Sequence, residues 1–320
     1  MNCYCFLLLL TGPFAADTGT YDRPPFPELE KYAGMHGKVL SVSEQQWTPL
    51  PGTVISDTLR RDVAAAGLQP GGTETVLWDS SGRPVSHTIA AEAGKKKMPV
   101  WSRRFYYREG RLDAAAVREE GQLADSVAFR YNRKGQVIDY RRYDDRRQLA
   151  YKVTYTYKED RLFMVRKKNR ENFPVAMIRY RYEGDKLAEA RHFDEQQQLV
   201  EIRSYSSTAT PEGHLHNSSA VKDAAGNLRE GSSRIVDGQG HLLELNELNG
   251  EREVVHYYRC RYNAYGLPEE EEERSASQSG TRVSYYLYDA RRNWIRRDVF
   301  TGGKLSAVFL RTIGYAEAGK

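Results

Sequence analysis

Apolar and polar residues alternate along most of this chain with a period of two. The stretch YKVTYTY (151–157) has Tyr or Val at every second position, with Lys or Thr between them. A period of two is typical of a β-strand with one buried and one solvated face. No segment shows a convincing long helical period. The pattern therefore predicts an all-β protein.

A turn pattern recurs between the predicted strands. It begins with an aromatic residue or Val, continues with polar residues that often include Asp, Asn or Gly, and ends with Leu, Val or Trp. Representative copies are WDSSGRPV (78–85), YNRKGQV (131–137), YDDRRQL (143–149) and YDARRNW (288–294). Asp and Asn side chains fold onto the backbone of a tight turn, and Gly supplies the positive φ. We expect the aromatic residue to end one strand and the aliphatic residue to begin the next.

Strands joined by such short turns pair antiparallel, so the repeats predict a β-meander. The chain has room for roughly twenty strands, and an open twisted sheet rarely exceeds about ten without curling. The predicted fold is therefore an antiparallel meander of tandem hairpin repeats in a curled or spiralling sheet.

The quoted motifs resemble the tyrosine–aspartate (YD) repeats of RHS-type bacterial proteins. GKVLSVSEQQW (37–47) also resembles the opening strand of short secreted RHS-like proteins from Bacteroidetes. The resemblance covers residues 37–316 and implies a repeat sheet that spirals into a shell or strip. A second, looser resemblance links YYREGRL (106–112) and EEGQL (119–123) to membrane-occupation-and-recognition-nexus (MORN) repeats of the antitoxin-like type. It implies an antitoxin- or immunity-like partner protein as the alternative function.

The N-terminus predicts export. CFLLLLTGPFAA (5–16) is an apolar run that ends in small residues, as a signal peptide does, and it is too short to span a bilayer. We therefore expect a signal peptide at 1–16, a proline-rich spacer at 17–36 and one repeat domain at 37–316. The expected location is the periplasm, the outer-membrane surface or the medium, with no transmembrane segment after signal removal. Polar residues at 206–220 and 269–280 are interpreted as loops.

The chain offers few residues for catalysis. His214 and His216 have a spacing used by metal sites, but no cysteine joins them and Glu212 is the only well-placed carboxylate nearby, so loop histidines are favoured. No nucleotide-binding fingerprint is complete. Cys260 alternates with tyrosines and is interpreted as a buried, inert thiol. We expect no catalytic residue, no metal, no cofactor and no enzymatic activity.

The strongest candidate for binding is a basic and aromatic cluster. From Arg130 to Arg170 the chain has 14 Lys or Arg against 5 Asp or Glu, interleaved with six tyrosines, although the net charge of the whole chain is only +5. Such a face suits an anionic polysaccharide or an envelope protein, and nucleic acid is not the expected ligand. The alternative, which the pattern favours, is that exposed strands need charged residues for solubility and to block edge pairing. The candidate residues are Arg130, Tyr131, Arg141, Arg142, Tyr143, Arg146, Arg147, Tyr151, Lys152 and Tyr155.

Overall fold

The computed structural model describes residues 31–32, 35–49, 68–93 and 96–316. The predicted signal peptide (1–16) lies outside the described residues, as does most of the predicted spacer (17–36). The described residues form twenty β-strands and no α-helix. No helix long and apolar enough to span a bilayer is present among them.

The strands have the following bounds. The first ten are β1 (Val39–Pro49), β2 (Leu68–Trp78), β3 (Pro84–Ala93), β4 (Lys96–Arg108), β5 (Arg111–Glu119), β6 (Gln122–Tyr131), β7 (Val137–Tyr143), β8 (Leu149–Lys158), β9 (Arg161–Asn169) and β10 (Pro174–Glu183). The second ten are β11 (Lys186–Phe193), β12 (Leu199–Ala209), β13 (Leu215–Asp223), β14 (Leu228–Val236), β15 (Leu242–Leu248), β16 (Val254–Tyr262), β17 (Pro268–Ser275), β18 (Arg282–Tyr288), β19 (Trp294–Thr301) and β20 (Lys304–Tyr315).

The described residues fall into two compact units. Residues 127–259 belong to the unit called here the central unit, and residues 35–126 and 260–316 belong to the terminal unit. In the central unit, consecutive strands from β7 to β16 pair antiparallel. The prediction of an all-β antiparallel meander is therefore confirmed.

The terminal unit joins the first strand of the series to the last. β1 pairs antiparallel with β2 on one side and with β20 on the other, and β20 also pairs with β19. The expectation of a curled or spiralling sheet is corrected here, because the first and last strands of the series meet. Their pairing satisfies backbone groups that would otherwise form two exposed sheet edges.

A five-residue turn recurs between the strands. In each copy the first residue donates its backbone N–H to the carbonyl of the fifth, and the fourth donates back to the carbonyl of the first. At Asp144 the side-chain Oδ1 also accepts the N–H groups of Arg146 and Gln148, at 3.0 and 2.8 Å. Eleven such turns occur in the described ranges, and they begin at Asp79, Asn132, Asp144, Asn169, Asp194, Thr210, Asp223, Asp237, Asn249, Asn263 and Asp289.

Each turn sets the register of the strands beside it. Where an aromatic residue precedes the turn, it pairs across a register shift of one residue with the residue after the turn: Tyr143 opposes Leu149, and Phe193 opposes Leu199. The expectation that the aromatic ends one strand and the aliphatic begins the next is confirmed. A bulge of this kind adds one residue to one strand and is fixed by the positive φ in the turn.

Several tyrosines bond to the backbone of the preceding strand. Their hydroxyls donate to carbonyl oxygens near its start, at 2.5 to 3.1 Å. A buried carbonyl without a partner costs free energy, so this contact favours Tyr over Phe at these positions. The donor–acceptor pairs are Tyr107 and Pro84, Tyr157 and Val137, Tyr182 and Leu162, and Tyr288 and Pro268.

Much of the two stretches interpreted as loops is strand, whereas residues 276–280 form a turn as expected. Residues 206–220 contain the end of β12, a five-residue turn and most of β13, and residues 269–275 lie in β17. Neither stretch shows apolar alternation, so the sequence pattern could not reveal them. The glutamates of β17 are paired with neighbouring side chains: Arg261 contacts Glu270 at 3.2 Å and Arg282 contacts Glu273 at 3.2 Å.

The central unit has one main hydrophobic cluster. Val153, Val165, Ile178, Tyr180 and Ala190 are buried on four neighbouring strands, β8 to β11. Half-buried side chains pack around them, and most are tyrosines. This cluster fixes which face of β8–β11 points away from solvent.

The turns that lack glycine predict a stabilising substitution. Gln197 is exposed and has a φ of 63°, in the left-handed region. This conformation destabilises a residue with a Cβ by about 1–2 kcal/mol. Glycine avoids this strain, but its larger conformational entropy in the unfolded chain offsets part of the gain. We expect Gln197→Gly to raise the free energy of unfolding by about 0.5–1 kcal/mol, measured by urea unfolding.

The matched control is Gly226→Ala. Gly226 occupies the same turn position with a φ of 91°, and a Cβ there would meet no atom within 4 Å. Only backbone strain opposes the alanine, so we expect a loss of about 1 kcal/mol. If both substitutions changed the free energy of unfolding in the same direction, this account of the turns would be contradicted.

Candidate functional site

Strand alternation separates the side chains of β7–β11 into two faces. Residues directly opposite each other on paired strands lie on the same face of a sheet, as do positions two apart on one strand. Val153 opposes Lys167 and Tyr180 opposes Ala190 on the face of the hydrophobic cluster. The opposite face carries seven Arg and Lys side chains, together with the buried side chains of Asp139 and Met177.

We call this opposite face the cationic surface. Four of its seven basic side chains, Arg166, Arg179, Arg181 and Arg191, are exposed, and the other three are half-buried. The registers of β7 to β11 place all seven on one face. They are Arg141 on β7, Lys152 on β8, Arg166 and Lys168 on β9, Arg179 and Arg181 on β10, and Arg191 on β11.

Like charges stand directly opposite each other on this surface. Lys152 opposes Lys168, and Arg179 opposes Arg191. Directly opposed side chains have Cβ atoms only about 4.5–5.5 Å apart, and like charges in that position destabilise a sheet. The arrangement therefore has an electrostatic cost that a bound anion would remove.

Carboxylates neutralise only part of the surface. Glu189 bonds to Arg191 at 2.6 Å, and Glu183 bonds to Arg181 at 2.6 Å. Arg179 lies 5.1 Å from the ring centroid of Phe193. Among the residues that the structure describes, neither Arg166 nor Arg179 has an ion-pair partner. These two guanidinium groups are available to an external anion.

Arg141 and Lys152 are held by a buried carboxylate. Asp139 is 7% exposed and accepts from Arg141 at 2.8 Å and from Lys152 at 3.0 Å. Burial raises the pKa of Asp139, but hydrogen bonds from Lys152 and Arg141 outweigh it and hold the pKa below its ordinary value. Asp139 is thus ionised near neutral pH and neutralises much of this end of the surface.

The ten residues predicted from the sequence do not share one face. Tyr151 and Tyr155 pack against the hydrophobic cluster, whereas Arg141 and Lys152 lie on the cationic surface. Arg142 opposes Tyr151 and so belongs to the face of the cluster. The remaining five lie in or beside the turns that flank β7: Arg130, Tyr131, Tyr143, Arg146 and Arg147.

Sequence reasoning missed most of the exposed cations. Arg166, Arg179, Arg181 and Arg191 were not among the candidates. The signal was present in MVRKK (164–168) and MIRYR (177–181), where a basic residue recurs at every second position. Alternation assigns the arginines of these two segments to one face. It assigns their neighbours Val165, Ile178 and Tyr180 to the other face.

The terminal unit contains a second polar cluster, which we call the inner ion network. Its centre is the pair between Glu44 on β1 and Arg311 on β20, at 2.9 Å, with the two side chains 10% and 4% exposed. Arg311 also lies 3.4 Å from the ring centroid of Trp294. The network continues to Arg297, Tyr286 and Glu271 on β19, β18 and β17.

Hydrogen bonds and ring contacts hold most members of the inner ion network, although Nε of Arg297 is buried without a hydrogen-bond partner among the described residues. The hydroxyl of Tyr286 donates to Glu271, and burial, followed by the nearby charge of Glu271, raises the pKa of Tyr286 well above its usual range. Arg297 lies 4.1 Å from the ring centroid of Phe309. Because Glu44 and Arg311 are buried and paired with each other, we interpret the network as holding β1 against β20 rather than as a binding site.

Clusters suited to metal binding are not found in the described ranges. No group of three or more His, Cys, Asp or Glu side chains is arranged to hold an ion there. His214 and His216 flank the start of β13, and His216 bonds to Ser233 at 2.7 Å. Cys260 is buried.

Comparison with protein families gives one match. A family model described as "Uncharacterised protein" matches residues 77–210, which include the whole cationic surface. None of the curated proteins matches the chain in sequence.

Solved structures similar to this chain are distant. A porin-like protein from Bacteroides uniformis is 14% identical with a TM-score of 0.34, over 86% of this chain and 98% of that one. A Tc holotoxin pore from Photorhabdus luminescens is 13% identical with a TM-score of 0.35, over 83% of this chain and 15% of that one. The present chain thus spans only a small part of the toxin chain, and the YD-repeat resemblance stays a prediction.

Loss of the Asp139 carboxylate is expected to destabilise the central unit. Asp139→Asn leaves Arg141 and Lys152 without their charge partner, at a cost of about 2–3 kcal/mol at pH 7. The folded-state pKa is depressed, so this contribution is present above the ordinary pKa of 3.8 and is lost as pH falls through the folded-state value. Urea unfolding curves of the two proteins are therefore expected to converge only as pH falls from about 4 through the depressed folded-state pKa.

The control for Asp139 is an exposed ion pair. Asp185 is 94% exposed and contacts Arg161 at 2.7 Å. Asp185→Asn is expected to cost less than about 0.5 kcal/mol at any pH. A loss at Asp139 no larger than at Asp185 would show that the buried carboxylate does not hold the two cations.

The inner ion network predicts a different pattern of losses. Glu44→Gln leaves Arg311 buried without its charge partner and is expected to cost about 3 kcal/mol in urea unfolding. The double variant Glu44→Leu/Arg311→Met removes both charges and is expected to recover most of that loss. A double variant that is less stable than Glu44→Gln alone would contradict the assignment.

Proposed function

We propose that this chain is an exported, non-catalytic binding protein of the bacterial envelope. Its ligand is an anionic polysaccharide, and the binding site is the cationic surface. The observation that carries the proposal is the opposed pair Arg179 and Arg191, next to Arg166, which has no ion-pair partner among the described residues.

The chemistry of these side chains fits an oxyanion polymer. A guanidinium group presents a planar set of N–H donors that matches carboxylate, sulfate or phosphate oxygens. The opposed cations repel each other in the free protein. A polymer that places negative charge between them reduces this repulsion, which makes the free energy of binding more favourable. Phe193, beside Arg179, adds a ring against which a sugar can pack.

Export is the second part of the proposal and rests on the apolar run at 5–16. Fractionation of cells that produce the full chain tests it: we expect the protein in the envelope or the medium. Retention in the cytoplasm would overturn the export proposal and favour the antitoxin- or immunity-like alternative.

Binding is tested with polymers of defined charge. We expect the chain from Asp17 to bind dextran sulfate and polygalacturonate at low salt but not neutral dextran. Arg166→Ser/Arg179→Ser/Arg191→Ser is expected to lower the affinity for the charged polymers roughly 10-fold, because each exposed ion pair contributes about 0.2–1 kcal/mol. Raising the salt concentration should weaken binding by the original chain more than by the variant.

A second triple variant controls for net charge. Arg133→Ser/Arg146→Ser/Arg229→Ser also removes three charges, all from exposed positions in the central unit away from the cationic surface. Its affinity is expected to stay within about twofold of the original. Equal losses in both triple variants would mean that net charge, not this surface, attracts the polymer. No binding by the original chain at low salt would overturn the proposal.

A further inference from the structure

The central unit is unevenly packed. The neighbouring strands β8 to β11 each contribute at least one buried side chain, and β8 to β10 include Val153, Val165 and Ile178 at 0%, 1% and 2% exposure. By contrast, all residues of the four neighbouring strands β12 to β15 are half-buried or exposed, and β13 and β14 lie in the middle of this group. The hairpin that these two strands form therefore has no buried apolar side chain of its own.

Hydroxyl groups take the place of apolar side chains in this hairpin. Ser219 opposes Ser232 on paired strands, and their Oγ atoms are 2.8 Å apart. Tyr205 opposes Ser219 and Glu247 opposes Ser232. The row of opposed residues across β12 to β15 therefore contains one aromatic ring, that of Tyr205. In β8–β10 the corresponding rows contain valine and isoleucine.

The opposite face of the hairpin is also polar at its centre, although Ile235 opposes His216 at one end of it. Ser206 bonds to Ser218 at 2.7 Å, and His216 bonds to Ser233 at 2.7 Å. Gly231 lies in the middle of β14, where it adds no side-chain packing. Hydroxyl–hydroxyl bonds contribute little net free energy when water can replace them, and strands that are polar on both faces have weakly specified pairing.

We propose that the β13–β14 hairpin is a separately opening element of the central unit. Its two strands separate from each other while the cluster on β8–β11 stays folded. Local openings of this kind occur where buried apolar contacts are few and backbone hydrogen bonds are accessible to solvent. The element would let the central unit change conformation without disturbing the cationic surface.

Hydrogen exchange of the chain from Asp17, followed by mass spectrometry, tests the proposal. Amides of β13 and β14 are expected to exchange roughly 100-fold faster than those of β8 to β10 under native conditions. Their exchange should also depend little on low urea concentrations, because the opening exposes little surface. Equal protection in the two regions would overturn the proposal.

A cross-link provides a second, independent readout. Ser219→Cys/Ser232→Cys in a Cys260→Ala background places two thiols at directly opposed positions. Oxidation is expected to slow exchange in β13 and β14 at least 10-fold, and reduction should restore it. The matched control, Thr156→Cys/Met164→Cys, cross-links an opposed pair in β8 and β9 and should leave β13–β14 exchange unchanged. An oxidised hairpin that exchanges as fast as the reduced one would show that exchange does not require strand separation.

Discussion

The side-chain hydrogen bonds within the five-residue turn are the constraint on which the rest of the structure depends. When the carboxylate of Asp144 accepts two backbone N–H groups, it fixes the bulge that follows and therefore the pairing of Tyr143 with Leu149. A slip of one residue would move every side chain of the next strand to the opposite face. At the eleven connections where it occurs, the repeated turn thus decides which residues of the next strand are buried and which meet solvent, whereas β8–β9 and β10–β11 are joined by two-residue turns.

The register of the strands also determines on which face of the sheet each charged side chain lies. On β9 and β10 it buries Val165 and Ile178 and leaves Arg166 and Arg179 exposed, although these residues are sequence neighbours. Hydroxyls of tyrosines bond to carbonyls of the preceding strand and so help to hold the same register. In the terminal unit, alternation instead directs Glu44 and Arg311 into a buried pair, where each compensates the charge of the other. The same rule therefore yields an exposed cationic surface in one unit and an internal ion network in the other.

Much of the fold could be predicted from the sequence because the turns carry local signals. Asp or Asn followed by a positive-φ residue marks ten of the eleven five-residue turns in the described ranges, and residues such as Tyr143 mark the ends of strands. The pairing of β1 with β20 could not be predicted, because no local pattern reports a contact across 267 positions. β17 and much of β13 lack apolar alternation, so the sequence pattern predicts loops there. The sequence-based candidate site groups residues that are close along the chain. It therefore includes both Tyr151 and Arg141, although these two side chains lie on opposite faces of the sheet.

The most direct test of this account is the reactivity of single cysteines at neighbouring positions of β9. In the chain from Asp17 with Cys260→Ala, Arg166→Cys places a thiol on the cationic surface and Val165→Cys places one in the hydrophobic cluster. A soluble maleimide is predicted to modify the thiol at 166 roughly 100-fold faster than the one at 165, because the buried thiol reacts only after local opening. Equal rates at the two positions, or a faster reaction at 165, would show that the register and the separation of the two faces are wrong.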